Sequence, residues 1–401
     1  MPKFNDIIIM TVIIFFYSNL PIYMEIEKIN ILHMKLPYYV ALFFLTVVAF
    51  FFFTKAKLSF LKNPLNIWIL VYLTLILIWY LLPSNLLTEK ELFIRIYNLF
   101  IMFMMTIFIY FDRTDFINVK KALFLVTIFS IGMNIYQFTN PEVFFSNNNP
   151  FGVVGRSAGL YLNPTISGMA ILLGMVMTVT FVPKKYRIYY MMFGLIGILL
   201  TFSRGPLLGW GVAFMYIIFT KTVSTKNKTF AIVSLFLGVL IGLPFLIDFI
   251  QNNYDYGGDN LINRLMWFSD AQSHIAHSQQ ERLDVLKASW NLFADSPILG
   301  SGLGVTLHWG ERASTHNMYI YLAAEFGIIG FLIYPLSILA VTWKGLSSDS
   351  NKVTIVLFVL VSLIIGLFRH NQYDQFFSII SFAFIANLSF SNWKKMRNSV
   401  V

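Results

Sequence analysis

Long apolar stretches, separated by short polar connections, run along almost the whole chain. A membrane-spanning helix needs about 17 to 25 mostly apolar residues, and stretches close to that length recur throughout the sequence. They predict twelve helices, near 6–23, 37–53, 65–82, 96–111, 121–138, 164–182, 188–202, 205–220, 229–249, 316–341, 353–368 and 375–391. The pattern therefore predicts an all-α polytopic membrane helical bundle, with residues 1–401 forming a single integral membrane domain.

The composition agrees with this prediction. Hydrophobic residues make up 57% of the chain and charged residues only 12%, whereas soluble domains average about 45–50% apolar and about 25% charged residues. This excludes an ordinary cytosolic enzyme and a disordered chain. Because the chain has no Cys, thiolate catalysis, zinc–thiolate sites, iron–sulfur clusters and disulfides are also excluded.

The distribution of Lys and Arg predicts the orientation of the bundle. Basic residues concentrate at both ends of the chain and in every second connection, whereas most Asp and Glu residues fall in the other connections. The basic connections are 54–64, 112–121, 183–187, 221–228 and 342–352. Since short cytoplasmic loops are enriched in Lys and Arg, we expect both termini to be cytoplasmic. The net charge of +10 then reflects membrane topology, and a nucleic-acid partner is not expected.

Two connections on the predicted outer side are long: 139–163 and 250–315. The second far exceeds the usual loop of about 4–6 residues and contains a predicted amphipathic helix at about 279–295. Ser278 and Glu281 have the spacing of a capping box, and one apolar face recurs at helical spacing. That face consists of Leu283, Leu286, Trp290 and Phe293. We expect this helix to lie across the mouth of the bundle or in the interface, so that the chemistry faces the periplasm or the cell exterior.

Four arginines on the predicted outer side are candidates for binding an anion: Arg156, Arg204, Arg264 and Arg282. A guanidinium group has a fixed charge and a fork of donors that suits phosphate oxygens. Arginines at a membrane edge also extend toward lipid headgroups. For Arg156 and Arg204, the residues alone leave phosphate contact and simple anchoring equally open.

His316 is the candidate general base. It is predicted to lie in the first turn of the tenth span, and an imidazole has an ordinary pKa of about 6.5, near that required of a base at neutral pH. A capping or interfacial role is the alternative. Glu325 follows nine residues later, on the opposite helical face, so we expect a structural carboxyl that a neighbouring hydroxyl or amide satisfies. The glycines between Gly300 and Gly304 lack the strand and the helix that a nucleotide-binding loop requires.

A resemblance emerges from the order of these segments. Residues 156–164 read RSAGLYLNP, residues 203–205 read SRG, and Arg282 precedes DSPILGSGLG at 295–304. His316 then begins HNMYI and Glu325 begins EFGIIG. Over about 150–335 the chain resembles the bacterial O-antigen ligase/polymerase superfamily.

The resemblance implies a glycosyltransferase of the bacterial inner membrane whose active site faces the periplasm. Such an enzyme transfers an oligosaccharide from undecaprenyl diphosphate to an acceptor sugar hydroxyl, with inversion and without a metal or other cofactor. Arg204 and Arg282 match the arginines implicated in holding the diphosphate, and His316 matches the histidine proposed to act on the acceptor. Arg156 matches the arginine before the sixth span. We expect Arg156, Arg264, Asn317 and Tyr319 to contribute to substrate binding.

Three activities within the superfamily share these motifs, and two of them remain open, beside a structural membrane protein without chemistry. An O-antigen polymerase, slightly favoured, joins repeat units on the lipid carrier, whereas an O-antigen ligase moves finished chains onto lipid A-core. A related group of enzymes that glycosylates protein hydroxyls usually carries a large domain after the last span, and no such domain is expected here. A flippase or permease for lipid-linked sugars is the alternative from another class. Membrane lipids and proteins of polysaccharide export or chain-length control are the further partners expected.

Overall fold

A computed structural model describes most of the chain. The described residues are 4–26, 35–54, 61–112, 115–140, 156–237, 247–248, 277–310, 315–346 and 351–399. Arg264 and most of the long connection before residue 277 lie outside them.

The described residues form fifteen α-helices and two short 3₁₀ turns, Gly159–Tyr161 and Gln372–Asp374, and they contain no strand. The helices are α1 Phe4–Tyr17, α2 Leu20–Ile26, α3 Leu36–Thr54, α4 Pro64–Tyr80, α5 Glu89–Tyr110, α6 Ile117–Thr139, α7 Pro164–Thr178, α8 Arg187–Leu199, α9 Arg204–Phe219, α10 Thr225–Leu237, α11 His277–Asp295, α12 Met318–Phe326, α13 Ile328–Thr342, α14 Lys352–Phe368 and α15 Phe376–Ser399. The all-helical prediction is confirmed for this part of the chain.

Two helices, α5 and α6, are each long and apolar enough to cross a membrane, and α1 with α2 forms a third candidate that bends by 49°. Shorter apolar helices account for the other predicted spans. The ninth span is described only in its first part, as α10. The tenth is interrupted at Gly327, which separates α12 from α13. A membrane helical bundle agrees with these helices, and the number of twelve spans stays a prediction.

The chain divides into two compact units. The first consists of Met1–Ile9, Val40–Val119 and Ile275–Val401, and the second of Met10–Tyr39 and Lys120–His274. The prediction of one continuous membrane domain is not tested by this division and stays a prediction.

In the first unit, α13 packs against α4, α12, α14 and α15, and α5 packs along α15. Close approach depends on glycine at two points. A Cβ at Gly330 would lie 1.8 Å from the carbonyl oxygen of Leu322, and a Cβ at Gly366 would lie 2.4 Å from the Tyr334 ring. These glycines hold α12 to α13 and α14 to α13, and so fix the ends of helices that carry the candidate site.

In the second unit, α7 is buried along almost its whole length between α8 and α9. A Cβ at Gly168 would lie 2.9 Å from Pro206 Cγ, so glycine lets the start of α9 approach α7. The buried Asn134 amide joins the helices, donating to Ser167 Oγ at 3.0 Å and to the Gly197 carbonyl at 3.1 Å. Buried polar side chains paired in this way order the helices with respect to one another.

Candidate active site

His316 lies at the entrance to α12 in a conformation that side chains rarely adopt. Its φ is +50°, in the left-handed region where few residues other than glycine occur. Asn317 is the N-cap, and its Oδ1 accepts hydrogen bonds from the backbone amides of Tyr319 at 3.0 Å and Ile320 at 3.1 Å. The prediction that His316 lies in the first helical turn is therefore wrong, because the helix begins two residues later, at Met318.

The backbone before His316 is fixed by α11. Ser289 is fully buried, and its hydroxyl lies 3.2 Å from the hydroxyl of Thr315, which is also buried. Arg282 lies seven residues before Ser289, which is about two helical turns and hence the same side of α11. The helix that carries Arg282 is thus tied directly to the residue preceding His316.

The helix α11 runs close to its predicted bounds, but its packing differs from the prediction. Ser278 lies inside the helix, which begins at His277, so the predicted N-cap is wrong. Of the predicted apolar face, Leu283 is 49% exposed and Trp290 is 50% exposed, whereas Val285 and Ser289 are fully buried. The buried side of α11 thus carries Val285 and Ser289. A search for large apolar residues at helical spacing does not identify this side, because one of the two residues is polar.

The electrostatic surroundings of His316 are cationic. Burial, together with the positive charges of Arg282 and Arg369, lowers the pKa of His316 from its usual 6.5 to about 4. The ring of His370 packs edge-on against it, with 6.0 Å between the centroids. Burial, with the charges of its neighbours, also lowers the pKa of His370, to about 3. Both imidazoles are therefore uncharged at neutral pH and able to accept a proton.

Glu325 forms a buried ion pair that fixes the other end of α12. Its carboxylate is fully buried and accepts two hydrogen bonds from the guanidinium group of Arg95, at 2.7 and 2.6 Å. It also accepts one from the backbone amide of Gly304 at 2.9 Å, while Arg95 donates to the Tyr321 hydroxyl at 2.6 Å. Glu325 is thus the structural carboxyl expected from the sequence. Its principal partner, Arg95, was not predicted.

The glycine-rich connection after α11 serves close packing. Gly300, Gly302 and Gly304 have φ of +75°, +104° and +77°, which favour glycine. A Cβ at Gly302 would lie 1.9 Å from the carbonyl oxygen of Ser84. The amide of Ser301 donates to the Ala324 carbonyl at 2.8 Å. The connection is therefore hydrogen-bonded to α12 beside Glu325, and it holds α11 close to α12.

In the second unit, Arg156 anchors the turn from which Arg204 projects. Arg156 is 9% exposed, and its guanidinium group donates to the Thr201 carbonyl at 2.9 Å and to Ser203 Oγ at 2.7 Å. Ser203 is the N-cap residue of α9, and Arg204 is the first residue of that helix. Arg156 therefore holds the loop and the turn together, and its predicted contact with phosphate or with lipid headgroups stays untested. Arg204 itself is half-buried.

The predicted site residues are distributed over both units. Arg282, His316, Asn317 and Tyr319 belong to the first unit, and Arg156 and Arg204 to the second. The Tyr319 hydroxyl donates to the Leu363 carbonyl at 2.9 Å, and the Asn317 side chain caps α12. The substrate-binding roles of these two residues stay predictions.

Arg369 and His370 were missed as site residues by sequence reasoning. The available signal was an adjacent Arg and His at the predicted outer end of the eleventh span. Among the described residues, no group of three or more His, Asp and Glu side chains lies close enough together to hold a metal ion. Metal independence nevertheless stays a prediction.

Comparison with known families supports the resemblance carried by the motifs. Residues 189–334 match the protein-family model described as O-antigen ligase, and this segment contains Arg204, Arg264, Arg282 and His316. The resemblance to the O-antigen ligase/polymerase superfamily is thereby confirmed over this segment. A search of curated proteins found no match.

Proposed function

We propose that the protein is a membrane glycosyltransferase that transfers an oligosaccharide from undecaprenyl diphosphate to a sugar hydroxyl at the periplasmic face. The specific activity proposed is that of an O-antigen repeat-unit polymerase. The observation that carries the proposal is the environment of His316. An uncharged imidazole lies within the field of two guanidinium groups, which combines a proton acceptor with a site for an anionic leaving group.

The chemistry requires these two elements together. The acceptor oxygen attacks the anomeric carbon, the bond from that carbon to the diphosphate oxygen breaks, and the electron pair leaves with undecaprenyl diphosphate. His316 takes the proton from the acceptor hydroxyl. Arg282 stabilises the negative charge that develops on the diphosphate. A single displacement of this kind inverts the anomeric centre.

Binding of the donor would also strengthen the base. The positive charges near His316 lower its pKa, because they oppose a third positive charge. A bound diphosphate offsets those charges, so the pKa of His316 rises toward its ordinary value once the donor is in place. The imidazole is then a better proton acceptor in the complex than in the free enzyme, and proton transfer is favoured only when a leaving group is present.

An O-antigen ligase is the second candidate, favoured by the description of the family model that the chain matches. Deleting the gene and separating the lipopolysaccharide by electrophoresis distinguishes the two. Loss of polymer with a single repeat unit still attached to core indicates a polymerase. Bare core with polymer remaining on the lipid carrier indicates a ligase.

The role of His316 is tested by complementing the deletion with variants. We expect His316→Ala to restore no polymer, because a positioned general base contributes about 10²- to 10⁴-fold to the rate. His308→Gln is the matched control, since His308 is an exposed histidine of the same unit and should restore the wild-type pattern. Full activity of His316→Ala, at equal protein levels in the membrane, would contradict the proposed mechanism. If the purified protein moves lipid-linked sugar across the membrane of a vesicle without transferring the sugar to an acceptor, it is a flippase.

A further inference from the structure

Arg369 lies in the connection after α14 and is buried, being 8% exposed. Its Nε–H donates to Asn371 Oδ1. Within the described part of the chain, this is the one hydrogen bond that the guanidinium group donates, and the ion pairs there do not include Arg369. A buried cation normally has a carboxylate partner or several acceptors. Arg369 therefore has donors left for a ligand.

The other buried or part-buried arginines with assigned contacts provide a comparison. Arg95 makes two bonds to the Glu325 carboxylate and one to a tyrosine hydroxyl. Arg187 donates to three backbone carbonyls, and Arg156 donates to a carbonyl and a hydroxyl. Each uses both its Nε and its terminal amino groups, or pairs with a carboxylate. Arg369 differs from all three.

Among the described residues, no carboxylate of the same unit forms an ion pair with Arg369. Asp374 is close enough to affect the pKa of Arg369, yet burial lowers that pKa to about 10 in spite of it. The Asp374 carboxylate instead accepts a hydrogen bond from the Asn98 amide at 2.9 Å, and Glu325 is engaged by Arg95. These two carboxylates are thus held by other donors, and Arg282 adds a further positive charge near His316.

Two further polar atoms on the same connection have no partner. His370 Nδ1 and Gln372 Nε2 are buried and make no hydrogen bond to the residues that the structure describes, although Gln372 is only 1% exposed. Most buried polar atoms in folded proteins are paired. Arg369 and the Gln372 amide nitrogen are both donors, so these residues, close together along the chain, indicate a binding site for a ligand that offers acceptor oxygens.

We infer that Arg369 is an additional oxyanion-binding residue, which acts with Arg282 beside His316 and takes a phosphate group of the substrate. This inference rests on the proposed function, where that group belongs to the diphosphate of the lipid-linked donor. A guanidinium group offers two parallel donors to a phosphate, which matches the donors left unused on Arg369. Two arginines of one unit then hold the anion next to the base.

The inference is tested by binding of inorganic pyrophosphate to the full chain in phosphatidylcholine nanodiscs, followed by tryptophan fluorescence. We expect Arg369→Gln to weaken binding about tenfold to a hundredfold, the effect of losing a charge-assisted hydrogen bond. Lys287→Gln is the control, because it removes one exposed positive charge from α11 and should leave binding unchanged. Arg369→Lys keeps the charge but lacks the paired donors, and should weaken binding by a smaller factor.

Unchanged pyrophosphate affinity in Arg369→Gln overturns the inference, whatever the transfer activity. If Arg369→Gln shows no cooperative thermal transition, the affinity of Arg369→Lys for pyrophosphate is the test, and unchanged affinity in that variant overturns the inference. If Arg369→Gln binds pyrophosphate more weakly but the wild-type protein performs no glycan transfer, the anion site is supported and the proposed function is contradicted.

A second titration in phosphatidylglycerol nanodiscs distinguishes the two sources of phosphate, the donor and a lipid headgroup. If anionic lipid abolishes pyrophosphate binding to the wild type, the site holds a lipid headgroup and the assignment to the donor is wrong.

Discussion

His316 is a weak base because it is buried and because the arginines proposed to bind the anion lie near it. Burial and two guanidinium groups lower the pKa of His316 to about 4, and each of those cations disfavours a charged imidazole. Base strength and anion affinity are therefore coupled through the same side chains. A substitution that weakens donor binding should also change the pH at which the base becomes protonated.

This coupling gives a prediction for the pH dependence of kcat/KM, which reports groups of the free enzyme. The base must be uncharged, so activity in the wild type should fall as the pH drops through about 4. Arg282→Gln removes a positive charge, and the pKa of His316 should rise. The acid limb of the profile should then move to higher pH. Arg282→Lys preserves the charge and should leave the limb in place.

The pH of the acid limb distinguishes an electrostatic effect of Arg282 on His316 from a purely structural role of Arg282. A misfolded or loosened site lowers activity at every pH without displacing the limb. If Arg282→Gln lowers kcat/KM but its acid limb coincides with that of the wild type, the group that titrates is not His316 in the field of Arg282.

At the scale of elements, the site depends on how α12 is held at its two ends. Asn317 caps its beginning, and the pair of Glu325 with Arg95 fixes its end to α5. The cap could be read from the sequence, because a capping side chain lies within a few residues of the amides it satisfies. The ion pair could not, because its members are 230 residues apart and no local pattern connects them.

The same distinction explains the remaining differences from prediction. The bounds of α11 follow from local signals and are nearly correct. Its buried side follows from the contact between Ser289 and Thr315 across 26 residues, and was not predicted. Arg369 approaches His316 through the packing of α14 against α12, so its membership of the site also depends on tertiary structure.

Breaking the buried pair should strongly destabilise the first unit. Removing one member of such a pair typically costs about 3–5 kcal/mol, because the other charge is left buried and unpaired. We expect Glu325→Ala to lower the free energy of unfolding by about this amount, measured by denaturant titration in detergent. His308→Gln is the control. It removes the exposed hydrogen bond between the His308 ring and Glu91, which should contribute about 1 kcal/mol or less.

A double substitution provides the decisive comparison. Arg95→Met combined with Glu325→Leu removes both charges and replaces them with apolar volume, which is often neutral in a buried site. The double variant should therefore be more stable than Glu325→Ala alone. If the single and double variants are equally unstable, packing rather than the unpaired charge determines the loss.

At the scale of the whole molecule, the proposed reaction depends on which side of the membrane the site faces. The distribution of Lys and Arg predicts that the connection carrying α11 is outside and that the connection before α10 is inside. Lys287 on α11 and Lys226 at the start of α10 are both exposed, so substitution at either position should disturb little. These two lysines therefore report on opposite sides of the predicted topology.

The chain has no Cys, so a single introduced cysteine is the only thiol that can react. We expect Lys287→Cys to be labelled by a membrane-impermeant maleimide in intact spheroplasts, and Lys226→Cys to be labelled only after the membrane is permeabilised. The unsubstituted chain is the control and should remain unlabelled in both conditions. Labelling of Lys226→Cys in intact spheroplasts together with protection of Lys287→Cys would place His316 on the cytoplasmic side. A periplasmic transferase would then be excluded, because its base would lie on the membrane face opposite to its substrates.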